Sequence, residues 1–470
     1  MVASSAAVCY EPIIDRPLTS FALLLALVAP PACVDLPNPT CATDDDCLAL
    51  GWCSCREGLC FKLGCPPLTE DTVQIDVADT AADPCVGAVL SSTPDGCCPE
   101  DPIDRSGDPD CTKASGTYSA EAPVLSPAAA GDGRVFLVVK DGGSLWLRGL
   151  DATLGASGQI ALSDGAALPP TVLPNGDVAV VSGDSILLAA KGAVTAAAKS
   201  SVHTGHGPLV SAVTSRPGGG LLSVTLKGAI VELDTTSGDV QASKDGVVAS
   251  GNLAQTALWT GAEEQVYWVA IAGVLHGVRL DSLSTPWTVD GATSAPALAS
   301  DGAVVVATQG GVTGLGADHM TALATYKAGG ADLLDPVIGP GDVVVVASPK
   351  QKRVTAIRFL PSGAYVRWTA VLQEAPATPP LVLAGGDVVL GLADGSLVGL
   401  RAAGATAAVA WRYAGTGHAV SAPLDWADGT VLHLTDKGTL RRLVAGPGGD
   451  AGPWPRVRRN ERNSGALPAE

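Results

Sequence analysis

The chain has 470 residues, a formal net charge of −18 and only 4% aromatic residues, with 56 glycines and 34 prolines. An acidic balance of this size argues against nucleic acid or anionic lipid as the main partner. All twelve cysteines lie within residues 1–111, which separates a cysteine-rich region from a cysteine-free region. After Cys33 no apolar run approaches the roughly 18 residues of a spanning helix, so none is predicted there.

Residues 1–33 have the pattern of an export signal. Arg16 precedes a short apolar run, Phe21–Ala29, which has signal-peptide length and is too short to span a bilayer. The run ends in Pro-Pro-Ala-Cys, which resembles a degenerate bacterial lipobox and predicts lipidation of Cys33. The alternatives are a conventionally cleaved secretory signal and an uncleaved or misassigned start.

Residues 34–67 are predicted to form a small disulfide-rich module. Six cysteines fall within the 25 residues from Cys41 to Cys65, a segment too short to bury an apolar core. Disulfide crosslinks are therefore expected to hold this segment in a defined conformation, with bound zinc as the alternative. The sequence does not choose among the possible pairings of the cysteines. With Cys33 lipidated, ten cysteines can form five disulfides, and these are Cys41, Cys47, Cys53, Cys55, Cys60, Cys65, Cys85, Cys97, Cys98 and Cys111.

Two acidic segments follow the module. Residues 68–84 contain five carboxylates and no Lys or Arg, which predicts a flexible acidic linker. Residues 85–116 hold the other four cysteines and an aspartate group that could gather around calcium or form a solvated loop. Residues 34–112 contain 13 Asp, 3 Glu and 3 Lys or Arg, a net charge of −13, so the rest of the chain is close to neutral.

From residue 117 to residue 465 one sequence pattern recurs eight times: a turn, a Val-rich run, a second turn and a short apolar run. The first apolar residues after the turn are spaced 38 to 45 residues apart and are Val135, Val178, Leu222, Val266, Val304, Val343, Val388 and Val431. A period near 40 made of strands is typical of a β-propeller with one four-stranded blade per repeat. The predicted fold is all-β, an eight-bladed β-propeller, with seven blades as the alternative and residues 466–470 as a tail.

The seventh repeat shows the four strands most clearly. They are predicted at Leu381–Leu383, Val388–Leu392, Ser396–Leu400 and Val409–Tyr413. Asp394-Gly395 supplies the two-residue hairpin turn, because this pair tolerates the positive φ that such turns need. A fourth-strand aromatic recurs at Trp287, Tyr326, Trp368 and Trp411, whereas the fourth strands of the first three repeats are unclear.

The pattern Pro-x5-Gly-x-Val, then Gly-x-Leu-x-x-Leu, then Trp resembles the PQQ-like (quinoprotein alcohol dehydrogenase-like) propeller repeats. The segment Trp454–Gly465 resembles a phrase that often flanks such propellers, and we expect it to help close the ring. In the dehydrogenases of this family the cofactor lies on the propeller axis with a calcium ion. It is held there by Glu and Asn ligands, a catalytic Asp, a stacking Trp and usually a disulfide between adjacent cysteines.

This chain departs from that ligand pattern. No cysteine follows Cys111, and the adjacent pair Cys97-Cys98 lies outside the repeats. His203 and His206 are predicted to lie in one loop, where zinc would need a third ligand. The sequence therefore predicts no catalytic, cofactor-binding or metal-binding residue and no cofactor. The carboxylates of the repeats fall mostly in predicted turns, at Asp132, Asp177, Asp301, Asp342, Asp387 and Asp428.

The first functional hypothesis is an exported envelope protein, lipid-anchored to the outer membrane, whose non-catalytic propeller binds envelope proteins as a scaffold. Some PQQ-like propeller lipoproteins have such a role in outer-membrane protein assembly. A periplasmic or secreted location is the alternative. The second hypothesis is a quinoprotein-like enzyme or ligand-binding propeller, which requires carboxylates that converge on the axis. The third is a surface adhesin or carbohydrate-binding module with exposed aromatics, for which Trp259, Trp268 and Trp426 are the candidates. Blade packing is the alternative role of each of these three residues.

Overall fold

The computed structural model divides into two compact regions, residues 1–79 and residues 80–470. The division falls inside the acidic linker predicted at 68–84. The structure describes residues 54–56, 59–61, 114–120, 129–131, 133–163, 167–190, 200–217, 219–235, 239–261, 264–319, 322–328, 332–360, 363–426 and 430–444.

The N-terminal region contains one described hairpin. Strand β1 (Ser54–Arg56) pairs antiparallel with β2 (Leu59–Phe61), so that the backbone of Cys55 lies opposite that of Cys60. The predicted signal peptide, lipobox and acidic linker and the segment Trp454–Gly465 lie outside the described residues. The same holds for Cys33 and for the disulfide candidates Cys41, Cys47, Cys53, Cys65, Cys85, Cys97, Cys98 and Cys111.

The C-terminal region consists of four-stranded antiparallel units in which each strand pairs with the next. The first strands are β4 (Ala129–Gly131), β8 (Thr171–Val172), β12 (Thr214–Ser215), β16 (Ala254–Thr260), β20 (Ala297–Leu298), β24 (Val337–Gly339), β28 (Leu381–Val382) and β32 (Leu424–Trp426). The second strands are β5 (Arg134–Asp141), β9 (Val178–Ser182), β13 (Gly220–Val224), β17 (Gln265–Ile271), β21 (Val304–Thr308), β25 (Val343–Ser348), β29 (Val388–Gly391) and β33 (Thr430–Leu434).

The outer two strands complete each unit. The third strands are β6 (Ser144–Leu150), β10 (Ser185–Ala189), β14 (Ile230–Asp234), β18 (Val274–Arg279), β22 (Gly311–Leu315), β26 (Arg353–Leu360), β30 (Leu397–Ala403) and β34 (Thr439–Val444). The fourth strands are β7 (Ala156–Leu162), β11 (Ser200–His203), β15 (Val240–Lys244), β19 (Ser284–Asp290), β23 (Ala322–Lys327), β27 (Gly363–Val371), β31 (Thr406–Tyr413) and, out of chain order, β3 (Ala114–Ser119).

The described residues thus make eight four-stranded units, and the all-β prediction is confirmed. Six units are separate sheets, whereas the sixth and seventh are joined through one parallel bridge between Thr369 of β27 and Thr406 of β31. A single 3-10 turn, Pro340–Asp342, is the helical element of the described chain. Within the same residues no helix is both long enough and apolar enough to cross a membrane.

The last unit combines the two ends of the described propeller chain. Its fourth strand is β3, which pairs antiparallel with β34 and puts Tyr118 opposite Leu440. β3 begins at Ala114, three residues before the predicted boundary at 117, because the pairing with β34 extends the regular chain in that direction. The last unit also packs against the first, since Leu424 and Leu432 share a core cluster with Val135 and Leu137.

The second strands lie inside each unit, and both of their faces are covered. In β25 the run Val344–Ala347 is 0–2% exposed, and in β5 Val135, Leu137 and Val139 are fully buried. A short continuous apolar run is what a strand buried on both faces requires. Burial of each such side chain contributes about 1.5–3 kcal/mol relative to exposure. All eight apolar residues that mark the repeat lie in these second strands.

The third and fourth strands approach closely where a glycine faces a tryptophan. Gly399 of β30 lies opposite Trp411 of β31, and a Cβ on Gly399 would overlap the indole ring. Gly277 of β18 lies opposite Trp287 in the same way. The predicted fourth-strand positions of Trp287, Tyr326, Trp368 and Trp411 are confirmed.

Candidate functional site

Because their strands are antiparallel, the eight four-stranded units have two distinct ends. Turns between second and third strands lie at the end where the chain also crosses to the next unit, which we term the crossover face. Turns between first and second strands, and between third and fourth strands, lie at the other end, the opposite face. The first strands of neighbouring units contact one another, β16 with β20 and β20 with β24, and β32 of the last unit contacts β4 of the first. They form an inner rim.

The crossover face carries exposed aliphatic side chains. Leu226, in the β13–β14 turn, is 36% exposed, and Leu253, directly before β16, is 58% exposed. The Gly251 backbone N–H donates to the Leu226 carbonyl at 3.2 Å, so the two segments lie side by side. Val371 at the end of β27 and Val420 before β32 are 61% and 42% exposed.

Two histidines of this face pair with separate carboxylates. His203 Nδ1 lies 3.1 Å from Asp184 Oδ1, and His206 Nδ1 lies 3.2 Å from Asp245 Oδ1. His203 is the last residue of β11, so the prediction that both histidines lie in one loop is wrong for His203. β11 could not be predicted from the sequence, because its residues are exposed or half-buried and show no apolar alternation. The two imidazoles do not converge on a common centre.

The inner rim is held by hydrogen bonds between neighbouring units. Thr171 Oγ1 donates to the Val213 carbonyl at 2.7 Å, and the hydroxyl oxygens of Thr214 and Thr256 lie 2.9 Å apart. These bonds join the second, third and fourth units. A buried hydroxyl needs such a partner, because an unpaired one costs about 1–3 kcal/mol.

Asp335 is a carboxylate of the inner rim that the sequence analysis missed. Its Oδ1 accepts from the Ala295 backbone N–H at 2.7 Å, and the Gln255 side chain also donates to this carboxyl. Burial raises the pKa of Asp335, and the two hydrogen bonds partly oppose that rise. The Asp-Pro pair directly before β24 is the sequence feature that could have indicated this carboxylate. Among the residues described here, no three His, Cys, Asp or Glu side chains are grouped to hold a metal ion.

The turn carboxylates that the structure describes are used locally. Asp387, directly before β29, accepts from Arg401 Nε at 2.9 Å and from Arg401 Nη2 at 2.6 Å. Asp301 Oδ1 accepts from the Ala303 backbone N–H at 2.9 Å within its own turn. Asp177 lies directly before β9, and Asp342 ends the 3-10 turn. Asp132 and Asp428 lie outside the described residues.

The expected exposed aromatic patch is not formed by its three candidates. Trp268 is fully buried in β17, and Trp426 is 7% exposed with the Arg442 guanidinium 5.3 Å from its ring centroid. Only Trp259 is half-buried. Trp268 and Trp426 instead have the blade-packing role that was the alternative for them, because both strands have both faces covered by neighbouring units and their indole rings fill the core.

Trp259 and Trp268 instead belong to a cluster between the fourth and fifth units, towards the opposite face. The ring centroids of Trp259, Trp268 and Trp287 lie 5.1, 5.3 and 5.0 Å from the His319 imidazole, at interplanar angles of 77°, 75° and 74°. His319 comes from the β22–β23 connection of the fifth unit and is 2% exposed. We term these four residues the Trp–His cluster. Each indole meets the imidazole edge to face, an arrangement that aromatic pairs favour.

Comparison with solved structures bears on the fold. The structure of the Dos1 propeller is similar to this chain, with a TM-score of 0.54, 9% identity and coverage of 73% of this chain and 97% of that one. BamB from Moraxella catarrhalis gives a TM-score of 0.50, 13% identity and coverage of 71% and 99%. The chain has the β-propeller fold.

The C-terminal WD40 domain of Sif2 is similar to the same extent, with a TM-score of 0.51, 10% identity and coverage of 72% of this chain and 99% of that one. At these identities the likeness shows the fold alone. No protein-family model matches the chain. No curated protein matches it either.

Proposed function

We propose that this β-propeller is a non-catalytic scaffold that binds a protein partner through its crossover face. The observation that carries the proposal is the exposure of aliphatic side chains at that face, foremost Leu253 at 58% and Val371 at 61%. Leu253 extends from the connection before β16, and Val371 from the end of strand β27. Binding surfaces are commonly built at such edges of a rigid scaffold. A partner that covers one of them gains about 1.5–3 kcal/mol for a fully buried aliphatic side chain.

The proposed ring has eight blades of the PQQ-like type. The eight four-stranded units, the contact of β32 with β4 and the outer strand β3 support this count. The repeat phrase with its fourth-strand tryptophans supports the PQQ-like type. Some propeller lipoproteins of this type are assembly scaffolds, and the fold shared with BamB is compatible with the same general plan.

Export and anchoring complete the proposal. The apolar run Phe21–Ala29 would direct export, and a lipid on Cys33 would attach the chain to the outer membrane. Ten cysteines would then pair as five disulfides in the segment between the lipid and the propeller, as expected for an oxidising compartment. Within this segment, the acidic linker at 68–84 would be flexible and solvated.

An axial ligand site is the alternative that a specific observation favours. Asp335 places one carboxylate with a raised pKa at the inner rim, where a quinoprotein would hold its cofactor. Calcium requires several oxygen ligands that converge on one point. The described residues bring Gln255 and a backbone N–H to Asp335, both of which act as donors to it. This arrangement satisfies a carboxylate rather than presenting it to a cation.

Chemical crosslinking in intact cells, followed by affinity capture from detergent-solubilised envelope, tests the scaffold. The informative variants are Leu253→Asp and Val371→Asp, because each places a charge in the proposed contact at a side chain that is more than half exposed. Val409→Asp is the matched control, since Val409 is 48% exposed on the outer strand β31, away from the crossover face. Partners that are lost with the first two variants and retained with the third would support the proposal.

Equal capture by all three variants would contradict docking at the crossover face. A membrane-bound chain with no specific partner would contradict the scaffold itself. Binding of a quinone or of calcium that is lost in Asp335→Asn would favour the axial site instead.

A further inference from the structure

The imidazole of His319 is enclosed without a hydrogen bond. Neither Nδ1 nor Nε2 has a hydrogen-bond partner among the residues described, although the residue is only 2% exposed. A neutral imidazole has one donor and one acceptor, and each buried polar atom left unpaired is unfavourable. Aromatic packing against Trp259, Trp268 and Trp287 therefore holds this ring in position.

The protein leaves no spare room around the cluster. A Cβ on Gly302 would lie 2.6 Å from Trp259 Cε2, and one on Gly261 would lie 2.5 Å from Trp259 Cη2. A Cβ on Gly277 would lie 2.7 Å from Trp268 Cζ3. Glycines from three separate segments thus admit the indole rings, which shows that the enclosure is built by several elements and does not result from one loop.

Four charged groups face His319 from the elements packed around it. Glu264, in the β16–β17 connection, has its Oε1 at 4.0 Å from His319 Nε2. The other oxygen of Glu264 accepts from Arg279 Nε at 3.1 Å, and the Arg279 guanidinium lies 5.2 Å from the Trp287 ring centroid. Asp318 of the same turn and Asp301 of the β20–β21 turn complete the set. Glu264 is therefore already paired with the Arg279 guanidinium while His319 is neutral.

The backbone of His319 adopts the left-handed region, with φ of 59°. Its N–H donates to the Gly316 carbonyl at 2.8 Å, which closes a tight turn. A non-glycine residue there costs of order 1 kcal/mol and persists when the surrounding structure holds it in position. The Trp–His cluster holds His319 in this conformation, so release of the imidazole ring would also relax the turn from Gly316 to His319.

We propose that His319 is a pH-sensitive latch between the fourth and fifth units. The neutral ring fixes the β22–β23 turn of the fifth unit onto the tryptophans of the fourth unit. Protonation places a cation in this enclosure, where neither ring nitrogen has a hydrogen-bond partner among the residues described, and the ring leaves, which opens the junction at the opposite face.

The sign of the effect follows from the burial of the ring. Burial lowers the pKa of His319, Arg279 lowers it further, and Glu264, Asp318 and Asp301 partly offset that decrease. The released ring regains an ordinary histidine pKa of about 6.5, so the open state binds the proton more readily. The latch is closed above that pH and opens progressively as the pH falls below it.

Hydrogen–deuterium exchange of the full chain at about pH 7.5 and about pH 5, corrected for intrinsic rates, tests the latch. Amides in 256–261, 264–268, 299–304 and 314–319 are expected to exchange at least about threefold faster at the lower pH. Strands β25 and β26 serve as the internal reference because they contain no histidine.

His319→Phe supplies a ring that fits among indoles and does not titrate, so the acceleration should disappear. His203→Asn removes a histidine that is exposed and paired with Asp184, so the acceleration should remain. Equal exchange at both pH values in the wild type, or persistent acceleration in His319→Phe, would overturn the proposal.

A second measurement needs no variant. Departure of the ring exposes indoles of the Trp–His cluster to water, so the tryptophan emission of the wild type should shift to longer wavelengths with a midpoint below about pH 6.5. The absence of any transition, or a midpoint above that value, would contradict a latch at His319.

Discussion

At the scale of single residues, close packing depends on glycines that face aromatic rings. Gly399 and Gly277 each lie opposite a fourth-strand tryptophan, and neither position has room for a methyl group. The sequence pattern predicted the tryptophan positions from their recurrence. It did not predict the matching glycines, because a glycine in a third strand is equally expected at a bulge or a bend.

Gly399→Ala should destabilise the protein by about 1–3 kcal/mol, because the added methyl group overlaps the Trp411 indole. Chemical denaturation followed by circular dichroism measures the change in the free energy of unfolding. Gly310→Ala is the control, since a Cβ there meets nothing within 4 Å and φ is ordinary. It should change stability by less than about 0.5 kcal/mol. Equal effects of the two variants would contradict this account of the strand packing.

His433 gives a second residue-scale prediction, one of pH dependence. The ring is 1% exposed, and its Nε2–H donates to the Gly395 carbonyl at 2.9 Å, which joins the seventh and eighth units. Burial lowers the pKa of His433, and the hydrogen bond to Gly395 partly offsets the decrease. Its contribution to stability is therefore present above the unfolded-state pKa of about 6.5 and is lost as the pH falls.

The comparison is between the wild type and His433→Gln, which retains a donor and does not titrate. The difference in unfolding free energy between the two proteins should shrink from about pH 7.5 to about pH 5. A constant or growing difference would show that His433 is not held neutral in the folded protein.

At the scale of elements, buried strands could be predicted from the sequence, whereas exposed strands could not. The second strands were predicted at every repeat because a Val-rich run bounded by turns has few alternatives. The fourth strand β15 has the burial pattern of an exposed segment, and β11 is at most half-buried, so neither carried an apolar pattern. β3, with the sequence ASGTYS, pairs with a strand more than 300 residues away, and no local pattern reports such a pairing.

Removal of β3 should destabilise the propeller markedly. A chain that begins at residue 121 leaves β34 as an unpaired edge and loses the contacts of Tyr118. At about 1 kcal/mol for each ladder hydrogen bond, the expected loss is about 2–5 kcal/mol. A chain that begins at residue 80, where the larger compact region starts, should retain the parent stability. The thermal midpoints of the two truncated chains provide the test, and equal midpoints would exclude a structural role for β3.

At the scale of the whole molecule, the fold was predictable and the sites were not. The period of the repeat is by itself enough to indicate a propeller. The Trp–His cluster joins tryptophans of the fourth unit to a histidine of the fifth, and the aliphatic side chains of the crossover face come from separate units. Such groupings depend on three-dimensional proximity between repeats, which a one-dimensional period does not contain. For the same reason the sequence could not separate a surface role of Trp268 and Trp426 from the core packing that both residues have in the structure.

Cys33→Ser tests the proposed anchor on the whole chain. A lipidated protein should partition into the detergent phase and label with a radioactive fatty acid, whereas the variant should do neither. Cys9→Ser is the control, because it changes a cysteine outside the lipobox and should leave both properties unchanged. Detergent partition that persists in Cys33→Ser would place the anchor elsewhere.

Docking of a protein at the crossover face is tested most directly by crosslinking in intact cells. A photoreactive amino acid would replace Leu253, Val371 or, as the control, Val409, all of which are exposed. We expect the first two positions to crosslink to the same envelope protein and Val409 not to do so. Crosslinks from Val409 alone, or none from Leu253 and Val371, would contradict it.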